Sequence, residues 1–448
     1  MAQRQTVNSI VHGDYVVTMD CESRVVRDGA VAIDSGIIAA VGSAEDIREK
    51  FQSDTEIDGT NQIVMPGLIN GHTHAAMSLL RGYAYDIPLM EWLQEYINPI
   101  EAFAVDEEYV RVGTALACWE MLLGGTTTFV DMYFFHEIAA QVADEIGMRA
   151  LISATVVDQP RNDAVDIDDS FEQARQFVEG WKNRKSTVEP ILGGHAIYTL
   201  KNEHLLRLRD MAESLEVPIH IHVSESEFEL QFSNELYGTT PIKHFQEIGL
   251  LDYPVIAAHV VWPTTEEMGI LKQYGVGVIH NATCNAKIAS GTAPIVEMLA
   301  NDIKVGLGTD GVASSNNLDL WEEMRVASLL QRARSMDSTD LPAREMLRLA
   351  TSGGAAALGL DHKIGHLAEG MEADMIQVSI DAAHHLPLYD VESHVAYCTK
   401  SGDVSNVFVQ GRHVVQDRQV MTIEIEALNS AIQGVANRIS SFNRTGSP

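Results

Sequence analysis

Eight short apolar segments, separated by helical stretches, constrain the fold of this chain more than any other feature. They read "IVMPGLINGHTH", "TTTFVDMYF", "RALISATVVD", "VEPILGGHA", "VPIHIHVSE", "PVIAAHVV", "GVGVIHNAT" and "KVGLGTDG". Among the stretches between them are "DEEYVRVGTALACWEMLLGG" and "HEIAAQVADEIG". Buried strands that alternate with helices build a parallel sheet. Eight such units predict a closed (β/α)₈ barrel of the TIM type.

The flanks have a different texture. Before residue 65 the chain runs in short β-like pieces, "SIVHGDYVVTMD", "GAVAIDSGIIAAVG" and "QIVMPG", divided by the turns "HGD", "DSG" and "DGTN". That reads as a small antiparallel unit whose inner face needs a cover. β-like character returns near 365 in "IGHLAEGMEADMIQVSI" and "VSNVFVQGRHVVQDRQV", the latter with a "QGR" hairpin turn. The expected organisation is an α/β protein. Segments 1–65 and 366–425 form one composite β-sandwich, 66–365 form the barrel, and 426–448 carry a C-terminal helix, "IEALNSAIQGVANRISSF".

At 448 residues the chain is long enough for a barrel plus a smaller domain. Its net charge of -32 argues against nucleic acid, whose phosphates it would repel, and against anionic membrane surfaces. Cys21, Cys118, Cys284 and Cys398 are scattered, with no C-x-x-C pair. This excludes a disulfide framework, a thiolate zinc site and the P-C-x-x-C site of the small cytidine deaminases. The start, "MAQRQTVNSI", does not resemble a signal peptide, and no apolar run is long enough to span a bilayer, so a cytoplasmic protein is expected.

The chemistry of such barrels sits at the C-terminal ends of the strands. Those ends carry His72 and His74, His195, His222 with Glu225, His259, His280 with Asn281, and Asp310. One polar residue at one strand end needs no more than a rim hydrogen bond to explain it. Polar residues at most of the ends converge on one pocket. His72 and His74 stand two residues apart on a strand, hence on one face, and two adjacent imidazoles make sense around a metal ion. Three histidines and a carboxylate suit one zinc-like divalent ion with a position left for water, which assigns His72, His74, His222 and Asp310 to it. A bound divalent ion lowers the pKa of its water to about 7. Glu225, three residues past His222, is then the candidate general acid/base, against a solvated carboxylate in the acidic run "SESEFE". His259 can stabilise developing charge, and Asp310 can also accept the water's proton. His220 shares the face of His222 one step deeper and reads as a packed barrel histidine. The fourth strand end, "LGGHAIYT", has no lysine to bridge two metals, which favours one ion.

These residues in this order resemble the amidohydrolase superfamily, and within it the 5'-methylthioadenosine/S-adenosylhomocysteine deaminases. The resemblance spans essentially the whole chain. It is most specific in "PGLINGHTHAAMSLLRGYAYDIPLMEWLQEYINPIE", "HNATCNAKIASGTAPI" and "GLGTDGVASSNNLDLWEEMR". The resemblance implies the same four metal ligands, with Glu225 contacting purine N1 and shuttling its proton. It further implies Glu101 on the ribose hydroxyls, Trp92 lining the pocket, and His195 against the substrate, with Asp310 also close to it. The implied reaction is hydrolytic deamination of an adenine nucleoside to the inosine-type product and ammonia. The implied partner is a small-molecule nucleoside, and the implied assembly a homo-oligomer. Zinc is the expected metal, with iron and manganese compatible with the same donors.

The chain also departs from the pattern. Relatives read G-P-H-x-P-Y where this chain has "GGHAIY", so Gly194 and Ile197 stand in place of two prolines. They read A-H-C-V-H where this chain has "AHVVW", which puts Trp262 in place of a histidine. An arginine that some members carry for the homocysteine carboxylate falls at Ala154, with Arg161 in "DQPRNDAVD" as a substitute. These changes favour methylthioadenosine, or a similar neutral nucleoside, over S-adenosylhomocysteine. The competing readings are an aminohydrolase or chlorohydrolase of another amino-heterocycle (a triazine, pterin or guanine-like ring) and, more remotely, a non-catalytic scaffold.

Overall fold

The computed structural model describes residues 4–159 and 161–442. All eight expected strands form: Leu68–Thr73 (β1), Thr126–Tyr133 (β2), Arg149–Val156 (β3), Val188–Gly194 (β4), Ile219–Val223 (β5), Val255–His259 (β6), Gly277–His280 (β7) and Lys304–Leu307 (β8). They pair in chain order, every pair parallel. β8 and β1 do not share a regular ladder. Their ends are stitched instead by Asp310 N–H to the His72 carbonyl at 3.0 Å and by Thr309 N–H to Asn70 Oδ1 at 3.0 Å. The barrel is nearly closed, and its seam runs between two of the expected metal-ligand positions.

Helices cover the barrel where the sequence expects them. Glu107–Leu123 starts at Asp106, whose side chain accepts from Tyr109 N–H, and His136–Ile146 stops at the left-handed Gly147. One apolar cluster draws on six strands through Ile69, Val130, Leu151, Ile191, Ile256 and Ile279. It includes Ala355, Ala357 and Leu358 of the helix Ser352–Leu358. This packed layer leaves the opposite, C-terminal rim for polar side chains.

The run "IVMPGLIN" is one apolar segment in sequence but two strands in space. Gln62–Pro66 belongs to a second sheet, and β1 begins at Leu68. The break falls at Gly67, where a Cβ would come within 2.2 Å of Thr127. Gly71 is needed in β1 itself, because a Cβ there would stand 2.5 Å from Ile279 across the barrel.

The second sheet has nine strands and joins the two ends of the chain: Met375–Ser379 pairs antiparallel with Gln62–Pro66, Ile376 opposite Met65. The flanking segments therefore build one small β unit, as expected. The N-terminal part is not purely antiparallel, however. Ser9–Val17 runs parallel to Gln62–Pro66, because a crossover through the helix Ala44–Lys50 returns the chain in the same direction. The "QGR" turn forms, with Gln410 and Gly411 both left-handed between antiparallel Val404–Val409 and Arg412–Gln416. Arg149, at the base of β3, bonds Asp374 at 2.7 and 3.1 Å and Glu372 at 2.5 Å, tying barrel to sheet. The final helix is Ile425–Ser440; residues 443–448 of the expected helical segment, and Pro160 of "DQPRNDAVD", lie outside the described residues. Among the described residues no helix is long and apolar enough to cross a membrane, and all four cysteines are free.

Candidate metal centre and its pocket

His72, His74, His222 and Asp310 meet at the barrel mouth, each with a ligand atom within 4.8 Å of the others. His72 Nε2 lies 3.2 Å and His74 Nε2 3.1 Å from Asp310 Oδ1. What the opposite edge of each ring does decides what these nitrogens can do. His74 Nδ1 donates to the Met132 carbonyl at 2.6 Å, and His222 Nδ1 donates to the His195 carbonyl at 2.6 Å. A carbonyl only accepts, so both rings carry hydrogen on Nδ1, and in the neutral state both present a bare lone pair on Nε2. His72 Nδ1 meets His220 Nε2 at 3.0 Å, and His220 Nδ1 meets Ser153 Oγ at 2.9 Å. His72 Nε2 and Asp310 Oδ1 are buried with no hydrogen-bond partner.

Two buried acceptors without partners, beside two further imidazoles, fit a divalent cation of the zinc type. The protonation balance agrees. Burial pushes His72 down to about 3 and His222 well below its ordinary value, which favours the uncharged imidazole at both. At His74 burial works against charge, but the bond to Asp310 outweighs it and lifts that imidazole to about 9. Burial alone would raise Asp310, yet His72 and His74 hold its carboxyl well below the usual range. Without a cation, a proton on His74 has to supply the positive charge.

Asp310 is aimed from behind. Its Oδ2 accepts from Ser314 Oγ at 2.6 Å and Cys284 Sγ at 2.8 Å, leaving Oδ1 toward the histidines. Its backbone is left-handed, at φ 61°, as is that of His259, at φ 72°. Non-glycine residues adopt this region at a cost, and here both stand at the barrel rim. His259 Nδ1 donates to Asn285 Oδ1 at 2.8 Å, and its Nε2 lies 3.9 Å from Glu225 Oε1. Glu225 is buried, not solvated as the run "SESEFE" would allow, and burial raises its pKa. The turn that holds it is pinned by Glu229. This fully buried carboxyl takes Ser224 N–H and Glu225 N–H at 2.8 Å each, while burial pushes it up to about 8.

One cavity opens over this centre and is lined by His74, His195, His222, Glu225, His259 and Asp310, and also by Trp92, Glu101, Tyr133 and Ser314. His195 packs its ring 4.9 Å from that of His222 and bonds Thr199 Oγ1 at 3.0 Å. Trp92 and Glu101 arrive from the continuous helical stretch 89–104. Tyr133, at the end of β2, donates to Glu101 Oε1 at 2.5 Å. Burial lifts Glu101 to about 7.

All nine of the sequence-expected site residues thus line one cavity or the ligand set beneath it. His280 and Asn281 are fully buried at the end of β7 but do not line the cavity. Sequence reasoning assigned no role to Tyr133, Asp131, Glu229, Cys284 or Ser314. Asp131 Oδ1 accepts Ala75 N–H at 2.6 Å and Thr73 Oγ1–H at 3.1 Å, which holds the backbone after His74 and the side chain before it. Tyr133 had a weak signal, a polar aromatic at a strand end. Glu229 had none, since one more acid in an acidic run looks solvated. His220 is the packed barrel histidine expected, and its packing partner is a ligand-set residue.

Comparison with known proteins agrees with this geometry. The amidohydrolase family profile matches residues 63–414. The chain is 42% identical over 427 residues to a 5-methylthioadenosine/S-adenosylhomocysteine deaminase of Syntrophobacter fumaroxidans, covering 95% of this chain and 96% of that one. It is 40% identical over 437 residues to a 5'-deoxyadenosine deaminase of Methanosarcina mazei, covering 96% and 99%. A zinc-bound crystal structure of an adenosine deaminase from Xanthomonas campestris superposes with a TM-score of 0.96 at 35% identity, covering 98% of this chain and all of that one. Fold, ligand set and sequence agree: the chain belongs to the amidohydrolase family.

Proposed function

We propose that the protein is a hydrolase of C–N bonds that deaminates an adenine nucleoside, with 5'-methylthioadenosine the preferred class, to the inosine-type product and ammonia. The observation that carries this reading is the half-buried carboxylate of Glu101, held by Tyr133 in the same cavity as the histidine cluster and Glu225. A free heterocyclic base offers Glu101 nothing, whereas the neighbouring hydroxyls of a ribose can donate to the carboxylate oxygen that Tyr133 leaves open.

His72, His74, His222 and Asp310 would hold one divalent ion, zinc by donor type. When bound, the ion supplies Lewis-acid polarisation and makes water a nucleophile near neutral pH. Glu225, whose hold on its proton burial strengthens, gives that proton to purine N1, which makes C6 more electrophilic as water adds there. Asn285 takes the hydrogen on His259 Nδ1, so Nε2 is free to accept a hydrogen bond from that water. Asp310, steadied by Ser314 and Cys284, accepts one proton of the water and passes it to the departing amine, which leaves as ammonia, while the proton left on the C6 hydroxyl returns to Glu225 as the C6 carbonyl forms. Trp92 covers the nucleoside and His195 contacts it.

The tail preference rests on the annex beside Glu101, which is lined by Leu93, Phe134, Thr155 and Arg161. Arg161 Nε bonds Asp163 at 2.7 Å, both side chains almost fully buried, and its Nη1 bonds the Thr155 carbonyl. Asp163 matches its charge, which supports a neutral substituent over a carboxylate, and its Nη2 is buried with no hydrogen-bond partner. The acidic net charge of -32 supports a small-molecule partner over nucleic acid.

The test is ammonia release from zinc-loaded protein given methylthioadenosine, S-adenosylhomocysteine, adenosine and guanine in parallel, with Glu225→Gln as control. Turnover of the nucleosides, methylthioadenosine ahead, and its loss in the control are expected. Turnover of guanine alone, or no turnover by metal-loaded protein, overturns the proposal.

A further inference from the structure

A second group of imidazoles and a carboxylate lies outside the barrel mouth, where the chain passes from Met375–Ser379 to Val404–Val409. His384 and His385 close the short turn Ala383–His385, His394 sits in the helix Val391–Cys398, and Asp403 closes the turn Ser401–Asp403. None of the four lines the active-site cavity. His384 Nε2 hydrogen-bonds Asp403 Oδ2 at 2.9 Å, and His385 Nε2 approaches the same oxygen at 3.1 Å. One ligand atom from each of these three residues lies within 4.8 Å of the others. Asp403 Oδ2 also accepts Lys400 N–H at 2.8 Å, which fixes the carboxylate.

The informative residue is His385. It is fully buried, and its Nδ1 meets His394 Nε2 at 2.9 Å. Its Nε2 has no hydrogen-bond partner although Asp403 Oδ2 is in reach, because the two are not aligned for one. With the hydrogen on Nδ1, donated to His394, the Nε2 lone pair faces a carboxylate oxygen across 3.1 Å. Two acceptors at that distance repel unless a cation or a proton lies between them, and the poor alignment of Nε2 with Oδ2 favours the cation. The centre at the barrel mouth has the same arrangement: His72 Nδ1 is tied to a histidine, and its Nε2 stands without a partner 3.2 Å from a carboxylate oxygen. Tetrahedral bonds of about 2.0–2.1 Å place neighbouring ligand atoms roughly 3.3–3.4 Å apart, close to the spacings in both groups.

We propose that His384, His385 and Asp403 form a second divalent-cation site, separate from the catalytic one, with His394 as the residue that orients His385. Two imidazoles and one carboxylate select a first-row ion such as zinc over calcium or magnesium, which take oxygen ligands. His384 retains 31% of its side-chain exposure, so the ion reaches solvent and exchanges more readily than at the barrel mouth. Its structural effect is to clamp the turn at 383–385 to the turn at 401–403, just before the strand Val404–Val409 enters the nine-stranded sheet.

The experiment is metal stoichiometry by mass spectrometry and zinc titration calorimetry on the full chain, with wild type, His384→Ala, Asp403→Ala and the double variant His72→Ala/His74→Ala. Wild type should bind two equivalents of zinc. His384→Ala and Asp403→Ala should each bind one and keep their deaminase activity, and the double variant should bind one and lose activity. If Asp403→Ala fails to fold, the half-exposed His384→Ala decides alone. A single equivalent in saturated wild type, or two equivalents surviving in His384→Ala, overturns the second site. Stoichiometry does not depend on which substrate the barrel turns over, so failure here leaves the proposed activity standing, and the reverse holds.

Discussion

Tyr133 gives its phenolic hydrogen to Glu101 Oε1 at 2.5 Å, joining the end of the second barrel strand to the helix that covers the cavity. The contact leaves the other carboxylate oxygen for substrate. Hydrogen bonds to a charged group contribute about 1.5–3 kcal/mol. Glu101→Gln should therefore raise KM for adenine nucleosides roughly 10–100-fold with a smaller change in kcat, and Tyr133→Phe should do so more mildly. Steady-state kinetics on methylthioadenosine check both. An unchanged KM in Glu101→Gln would remove the ribose contact from the mechanism.

The same carboxyl makes stability depend on pH. Glu101 titrates near 7 in the folded chain against an ordinary 4.5, so the folded state holds its proton more tightly than the unfolded one. The cost of its charge is absent below pH 4.5, grows as pH rises from 4.5 to 7, and is complete above 7. Solvent reaches part of the side chain, which holds that cost to about 2 kcal/mol. Glu101→Gln should raise Tm relative to wild type at pH 8 and not at pH 4.5; equal shifts at both would contradict the assignment.

His220 holds His72 from behind at 3.0 Å and is itself held by Ser153. Partners of this kind cost about 10–100-fold in metal affinity when removed. His220→Ala should weaken zinc binding at the catalytic centre by that factor, read by competition with a chelator, while zinc in excess restores most of kcat. Loss of activity that excess zinc does not restore would point to a collapsed barrel instead.

Glu229 takes two backbone N–H groups and so fixes the turn that carries Glu225. Glutamine in its place retains one acceptor oxygen and turns the other into a donor against an N–H. Glu229→Gln should lower kcat about 10–100-fold with little change in zinc content, whereas Glu225→Gln should lower it at least about 1,000-fold. Burial raises the Glu225 pKa, so the proton it donates is lost at higher pH than from an ordinary carboxyl, and kcat should fall along a high-pH limb. That limb should be missing from the residual activity of Glu225→Gln.

Arg149 is buried against Asp374 and Glu372 at the joint between barrel and second sheet. Removing one partner of such a pair leaves the others charged and desolvated, at about 3–5 kcal/mol. Arg149→Leu should lose stability on that scale in denaturant melts, and Arg149→Leu combined with Asp374→Leu should lose less than the sum of the two single changes.

Much of this protein was legible along the chain because it depends on local period and order. Strand–helix alternation is a property of consecutive residues, so eight barrel units could be counted before any contact was known. The ligand residues could be named for a related reason: a parallel barrel brings all strand ends to one rim, so His72, His74, His222 and Asp310 must converge whatever their separation in sequence. Other features depended on contacts between segments that no local pattern records. "IVMPGLIN" divides between two sheets at Gly67, where Thr127, some sixty residues away, leaves no room for a side chain. Glu225 and Glu229 look solvated in "SESEFE", yet the fold buries both, and burial sets their proton affinity. Tyr133 meets Glu101, and His385 faces Asp403 without a hydrogen bond, because packing brought them together. Sequence determined which side chains reach the rim. Tertiary structure decided what stands behind each one, which sets its charge, its free lone pair and its aim.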